Sequence, residues 1–391
     1  MARVLYLTQA FPRAPGDVPG KFLLLQAVAL AEEGVEVEVL APSAAGLPEH
    51  HQVEGIPVRH YRYAPRRLET IAYTGSMATR AASPGGMLAL AGLLGAGTLA
   101  ARRAAGGYDL VHAHWWFPSA LQARLAGCRP LVTSFHGTDV RLAQDRPLAK
   151  AVCARVMRAS AAITTDSGWL AEVAGSFAPG RADRIRVLPA PADDRLFSPG
   201  DAPRGHLLFV GRLDRQKGAE VAVRALARLT GPSAELPLRI VGGGEQEAFL
   251  RRLAAELGVA GRIVWERGLT NEQLADRYRQ AVALLVPGQD EGLGVVAIEA
   301  QLCATPVVAV ASGGLGDVVS DGVTGRMFPP GDDQALARAV EELHGDPAAG
   351  AAMGERARRS AVERFGIRRA ARAFAALYDE VLADQPRVRV G

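Results

Sequence analysis

Three adjoining stretches decide how this chain is read: Ala283-Leu284-Leu285-Val286-Pro287, then Gly288-Gln289-Asp290-Glu291-Gly292-Leu293-Gly294-Val295-Val296-Ala297-Ile298-Glu299-Ala300, then Pro306-Val307-Val308-Ala309-Val310. The outer two are short and apolar throughout, as strands buried on both faces of a parallel sheet must be. The segment between them is then a crossover, and its two glutamates frame the start of a helix. A helix beginning near Gly292 places Glu291 at its mouth, beside unpaired backbone N–H groups, with Glu299 about 12 Å further along. Carboxylate pairs that hydrolyse a glycosidic bond stand closer, about 5–5.5 Å or about 6.5–9.5 Å apart. The spacing predicts an elongated ligand, held at one end by Glu291 and at the other by Glu299.

At 391 residues the chain exceeds one ordinary core and suits two domains. A hydrophobic content of 49% and a charged content of 22% describe a soluble globular protein. No run of about 20 uninterrupted apolar residues occurs, and the start Ala2-Arg3-Val4-Leu5-Tyr6-Leu7 reads as a strand rather than a signal peptide, so cytoplasmic residence is expected. Cys128, Cys153 and Cys303 are scattered in apolar surroundings with no Cys-x-x-Cys spacing, which makes them core fillers and disfavours thiol or zinc chemistry. The net charge of +4, carried mostly by arginine, allows weak attraction to anionic nucleotides or to an anionic membrane surface. No basic run is interleaved with aromatics, so nucleic acid is not an expected partner.

Apolar runs alternate with helical patterns along almost the whole chain, the signature of right-handed β-α-β units. Strands are expected at 3–9, 35–41, 57–63, 109–114, 130–135, 161–166 and 185–190, and again at 206–212, 237–242, 262–267, 283–287 and 306–310. Between the two sets, 191–204 is rich in proline and acid and lacks periodicity, so it reads as a linker. The expected organisation is a first α/β domain at 1–190, the linker, a second at 205–365, and a final helix at 366–391. Two doubly wound domains of this kind bring ligand loops to strand ends across a shared cleft. Phe365, Phe374, Leu377 and Tyr378 form the expected packing stripe of the last helices. The apolar segment from Met87 to Arg103 reads as a buried helix covering the first sheet, too short to span a bilayer easily; a membrane-surface helix is the other option.

Several loops carry chemistry. Gly211-Arg212-Leu213-Asp214-Arg215-Gln216-Lys217-Gly218 follows a strand and offers a planar guanidinium fork and a mobile ammonium, a natural diphosphate clamp. Gly292-Leu-Gly294-Val-Val-Ala297 matches G-x-G-x-x-A, with Asp317 about 20 residues on, which would suit a dinucleotide. Against that, four residues separate the glycines from their strand, and an anionic Glu291 would face a pyrophosphate. Gly16 to Lys21 lacks both the spacing and the Ser or Thr of a P-loop. His112 and His114 share a strand face without a visible third metal ligand, so a core His112 and a cleft-lining His114 are expected. His136 and Asp139 follow the next strand, where Asp139 either orients His136 or caps the helix.

Glu291-Gly292-Leu293-Gly294 through Glu299-Ala300, followed by Thr305-Pro306-Val307-Val308-Ala309, resembles the donor site of retaining nucleotide-sugar glycosyltransferases of the GT-B fold, family 4. The Gly211 to Gly218 loop resembles the same family's Gly-Arg…Lys-Gly signature, and His136-Gly137-Thr138-Asp139 its His-Gly-x-Asp motif. The resemblance implies two Rossmann-like domains with a C-terminal helix crossing back to the first. It also implies transfer from a nucleoside-diphosphate sugar, a UDP-sugar being favoured, to a glycan, lipid-linked or small-molecule hydroxyl, with retention. No Asp-x-Asp pair that would seat a metal on a diphosphate lies around these motifs, so neither metal nor cofactor is expected. By that resemblance Arg212 and Lys217 hold the donor phosphates, His136 reaches the transferred sugar, and Glu291 and Glu299 accept from sugar and ribose hydroxyls. Gly20, Gly211, Gly292, Leu293 and Gly294 line the donor, while His114, Trp115 and Asp139 are acceptor-side candidates. The chain departs from the family at Pro19-Gly20 and at Pro189-Ala190-Pro191, where a double glycine and an Asn-Gly are usual. A non-hydrolysing epimerase on the same scaffold and an NAD-dependent dehydrogenase are the alternatives, and peripheral contact with the inner membrane face is allowed.

Overall fold

A computed structural model describes residues 2–14, 16–17, 19–73, 77, 80 and 83–384. The chain divides into two compact units, the first formed by 1–191 with 367–391 and the second by 192–366.

The first unit is built on an eight-stranded sheet in the order β3-β4-β2-β1-β5-β6-β7-β8. Its strands are β1 (Arg3–Leu7), β2 (Glu36–Pro42), β3 (His50–Val53), β4 (Ile56–Tyr61), β5 (Leu110–His114), β6 (Leu131–Phe135), β7 (Ala162–Thr165) and β8 (Ile185–Val187). All neighbours pair in parallel except β3 with β4. The strands at the centre are wholly buried, β5 and β6 at every position, their polar residues His112, His114, Thr133 and Ser134 included. Strand order reverses between β1 and β5, so the loops after these two strands open at the switch point where doubly wound sheets bind ligands.

The second unit carries a six-stranded parallel sheet in the order β11-β10-β9-β12-β13-β14. It comprises β9 (His206–Val210), β10 (Leu238–Val241), β11 (Ile263–Glu266), β12 (Ala281–Val286), β13 (Val307–Val310) and β14 (Gly325–Phe328). Its switch point lies between β9 and β12. Those two strands lead into Gly211 to Gly218 and into the glutamate-bearing crossover.

Four expectations need correction. β3 and β14 escape sequence reading because β3 is four polar-biased residues and β14 is a four-residue edge strand. The β3–β4 hairpin turns at Glu54 and Gly55, whose φ of 49° and 83° make two consecutive left-handed residues of the kind a tight hairpin turn needs. The expected linker is part of the second unit, since Ala192 and Phe197 are buried in its core. Phe365 belongs to that core as well, whereas Phe374, Leu377 and Tyr378 of the last helix, Ile367–Ala383, pack in the first unit.

The fourth correction concerns the helix Pro84–Ala104. It lays Gly86, Ala89, Leu93, Gly97, Ala101 and Ala104 inward, a stripe of mostly small residues at helical spacing. Its other side is open: Met87, Leu88 and Leu99 are 58%, 66% and 48% exposed. It is therefore not a buried cover, and by length and composition alone the segment Pro84–Gly107 is sufficient to cross a membrane.

Candidate active site

In the second unit, the turn after β9 is organised by Asp214. One carboxylate oxygen accepts from Arg212 Nε at 2.9 Å, and the other from the Lys217 backbone N–H at 3.1 Å. Burial pushes this carboxyl up, but the bonds from Arg212 and Lys217 outweigh it and hold Asp214 below the usual carboxylate range. The Lys217 ammonium donates to Glu291 Oε1 at 2.5 Å, joining the β9 loop to the β12 loop. Backbone proximity supports that junction. Gly218 has φ of 63°, and a Cβ there would fall 2.8 Å from the Pro287 carbonyl oxygen, so any side chain would push the loops apart. Arg212 remains 67% exposed at its side chain, with its guanidinium bound through Nε alone in the described contacts.

The crossover differs from its expected form. The helix is Val295–Leu302, with Gly294 in the left-handed region as its N-cap, so it begins after the expected Gly292 and Glu291 lies in the loop before it rather than directly at its mouth. The Glu291 carbonyl accepts from Gly314 N–H at 2.7 Å. The backbone of Gly292 and Gly294 enters the helix N-terminus with no side-chain cap, an arrangement suited to ligand hydroxyls or phosphate oxygens. Leu293 is 6% exposed and packs in the core, which leaves only its backbone for a ligand. Glu299 is half-buried, and its Oε2 accepts from the Tyr278 hydroxyl at 2.8 Å. Burial, reinforced by Glu299, holds the Tyr278 hydroxyl well above its ordinary pKa, so it stays a donor. Tyr278 did not stand out in the sequence, because its partner Glu299 lies 21 residues away in the chain.

In the first unit three histidines line up on the ends of β5 and β6. His112 is fully engaged: its Nδ1 meets the Tyr378 hydroxyl at 2.7 Å and its Nε2 the Ser134 hydroxyl at 2.6 Å. With both nitrogens committed, the His112–His114 pair offers no chelate, and burial pushes His112 down to about 3. His114, expected to line the cleft, is instead wholly buried. Its Nδ1 lies 3.2 Å from His136 Nε2, the two rings stacked 5.5 Å apart, while its Nε2 has no partner among the described residues. Burial holds His114 well below its ordinary value.

His136 is bonded on its other side to Asp166, Nδ1 to Oδ2 at 3.0 Å. Burial lowers its pKa, yet the charge and hydrogen bond of Asp166 outweigh burial and leave it raised. Phe22 and Trp115 box the ring, each 4.9 Å away between centroids. Trp115 adopts φ of 67°, a backbone conformation that costs a bulky residue about 1–3 kcal/mol and that collects at functional sites.

Asp139 does not touch the His136 ring. Its carboxylate accepts from the His136 N–H at 3.0 Å and the Trp116 N–H at 3.1 Å, tying the loops after β5 and β6 together. Burial raises its pKa against the pull of His136 and those amides. Gly20 is the N-cap of Lys21–Glu32 at φ of 75°, where a Cβ would lie 2.5 Å from the Ala10 carbonyl oxygen. Its role is thus a close backbone turn. Asp166 is the residue that sequence reading missed. It ends a strand as an ordinary polar residue, and only the fold brings it to His136. Its other oxygen accepts from the Ala190 N–H at 3.1 Å, within the turn where the Asn-Gly is absent.

Residues 20–196 match the family described as Glycosyltransferase Family 4, and residues 198–360 match Glycosyl transferases group 1. Among curated relatives, a D-inositol 3-phosphate glycosyltransferase from Catenulispora acidiphila is 32% identical over 369 residues, covering 85% of this chain and 84% of the relative. A solved sucrose-phosphate synthase from Thermosynechococcus elongatus superposes with a TM-score of 0.79 at 24% identity, covering 98% of this chain and 99% of its own. The Anabaena protein HepE, solved with UDP and glucose, gives a TM-score of 0.73 at 19% identity over 97% and 100% of the two chains. The structural neighbours share the GT-B architecture of two Rossmann-like domains, and this chain is a glycosyltransferase belonging to family 4.

Proposed function

We propose that the protein transfers a sugar from a nucleoside-diphosphate sugar, a UDP-sugar by preference, to an acceptor hydroxyl with retention of anomeric configuration. The observation that carries this reading is the junction of Arg212, Lys217 and Glu291 at the switch point of the second sheet, with Glu299 on the following helix. Arg212 and Lys217 bind the diphosphate and offset the charge that develops on the leaving group. Glu291 and the Gly292 and Gly294 backbone take the sugar, and Glu299, held by Tyr278, takes the ribose diol. His136 acts on the transferred sugar. No side chain serves as covalent nucleophile: the departing phosphate accepts the acceptor's proton on the face that the new bond forms on. HepE, solved with UDP and glucose, supports the donor class, and the inositol-phosphate relative makes D-inositol 3-phosphate the first acceptor to assay.

We place the enzyme in the cytoplasm, in keeping with three free, buried cysteines, and in peripheral contact with an anionic membrane face through the exposed side of Pro84–Ala104. The deciding experiment is a thermal-shift screen. A nucleotide held at 100 times its dissociation constant adds about 2.7 kcal/mol of stability, so UDP, GDP or ADP should raise the melting temperature and NAD should not. Turnover of the binding sugar nucleotide, followed by proton NMR of the product's anomeric centre, then tests retention; a shift with NAD alone overturns the reading.

A further inference from the structure

We propose that Asp166 is a positioning residue for the transfer reaction, acting through a buried relay Asp166–His136–His114 that fixes His136 as a hydrogen-bond donor toward the substrate. The proposal rests on the reading above, in which His136 meets the transferred sugar.

Its basis is geometric. The His136 and Asp166 side chains are only 9% and 12% exposed and lie 3.0 Å apart. A carboxylate on Nδ1 dictates that this nitrogen carries a proton, which sets the ring's orientation and leaves Nε2 as the only nitrogen for a ligand. His114 occupies Nε2 at 3.2 Å, the long end of the hydrogen-bond range, and is the partner that a substrate oxygen replaces. Phe22 and Trp115 against the ring prevent it from swinging away when that exchange occurs. The titratable groups around His136 are Asp166 just after β7, His112 and His114 from β5, both kept neutral by burial, and Asp139 from its own loop.

The relay also couples the two histidines. When His136 is an imidazolium, its Nε2–H points at His114 Nδ1, so His114 must carry its own proton on Nε2, the atom without a partner among the described residues. When His136 is neutral, the Nδ1–H held by Asp166 leaves Nε2 as an acceptor, and His114 must protonate Nδ1 instead. Asp166 therefore decides the tautomer of a residue that it does not touch. No covalent step is involved and no proton leaves His136; the imidazolium supplies a fixed charge and a hydrogen bond.

The test combines nitrogen-15 NMR of the histidine rings with kinetics of wild type, Asp166→Asn and Asp166→Glu. In wild type the His136 ring should stay charged above the usual histidine range, and His114 should carry its proton on Nε2. Asp166→Asn should lower the His136 pKa, switch the His114 tautomer at neutral pH and cut kcat about 10²-fold with little change in donor KM, the lower end of what loss of a preorganised hydrogen-bond donor costs. Asp166→Glu should restore part of both. Unchanged kcat and pH profile with a lowered melting temperature would reduce Asp166 to a support for the Ala190 turn. A neutral His136 at pH 7 in the wild-type spectrum would overturn the proposal even where the variants fail to fold. If wild type shows the charged His136 but transfers no sugar, the function fails and the relay stands.

Discussion

Lys217 Nζ and Glu291 Oε1 meet at 2.5 Å across two loops that leave neighbouring strands of the second sheet, with side chains only 26% and 12% exposed. The ammonium expected to hold a phosphate is therefore preorganised by the carboxylate expected to hold a sugar.

Removing either partner should have a different effect. Lys217→Ala should lower kcat about 10²–10³-fold with a smaller loss of donor affinity, because a fixed cation matters most when charge develops on the leaving phosphate. Glu291→Ala should damage turnover while UDP binding is kept or tightened, since the ammonium is released from a competing anion. Calorimetry with UDP and steady-state kinetics separate the two; equal loss of UDP affinity in both variants would show that the pair acts only as a strut.

Glu299→Ala should weaken UDP binding by about 1.5–3 kcal/mol, the range for a hydrogen bond to a charged acceptor. Tyr278→Phe removes the hydroxyl that steadies this carboxylate at 2.8 Å and should cost less, about 0.5–1.5 kcal/mol. A larger loss in Tyr278→Phe than in Glu299→Ala, read by the same calorimetry, would mean that Glu299 does not face the nucleotide.

Transfer should survive EDTA and depend on Arg212. Arg212→Lys should recover only part of the activity lost in Arg212→Ala, because an ammonium lacks the bidentate fork. Activity abolished by chelation and restored by magnesium or manganese, with Arg212→Ala nearly normal, would move the phosphate charge from arginine to a metal.

Acid should destabilise the first unit through His112 and His114. Burial holds both pKa values below the unfolded value, so the unfolded chain binds more protons and stability falls as pH drops below about 6.5. His136 works in the opposite sense: its raised pKa adds stability that is complete below the unfolded value and is lost as pH rises through the folded one. His60 is depressed by burial as well, so urea midpoints should fall between pH 7 and 5. His114→Gln should flatten that decline.

The exposed face of Pro84–Ala104 ends in Arg102 and Arg103. Vesicles containing anionic lipid should co-sediment with the protein, neutral vesicles much less, and Met87→Asp with Leu88→Asp should abolish the difference without altering UDP binding. Equal binding of the double variant would remove this face from consideration.

The paired sheets were legible in the residues because a parallel strand must be apolar on both faces. Runs such as Ala281–Val286 and Val307–Val310 announce themselves without any partner in view. The loops after them were equally legible: Arg212, Lys217, Glu291 and His136 are polar residues among glycines where such strands end. What those side chains hold was not. Tyr278 on Glu299 and Asp166 on His136 are contacts between segments that only the fold brings together, and a lone Asp or Tyr carries no periodic mark. Burial reassigned others, taking His114 from the surface to the interior and Leu293 from the ligand to the core, while turning Leu88 outward. An apolar helix reads the same from its residues whether its face meets a sheet or is left open, since the sequence states how apolar a face is and only packing states what covers it.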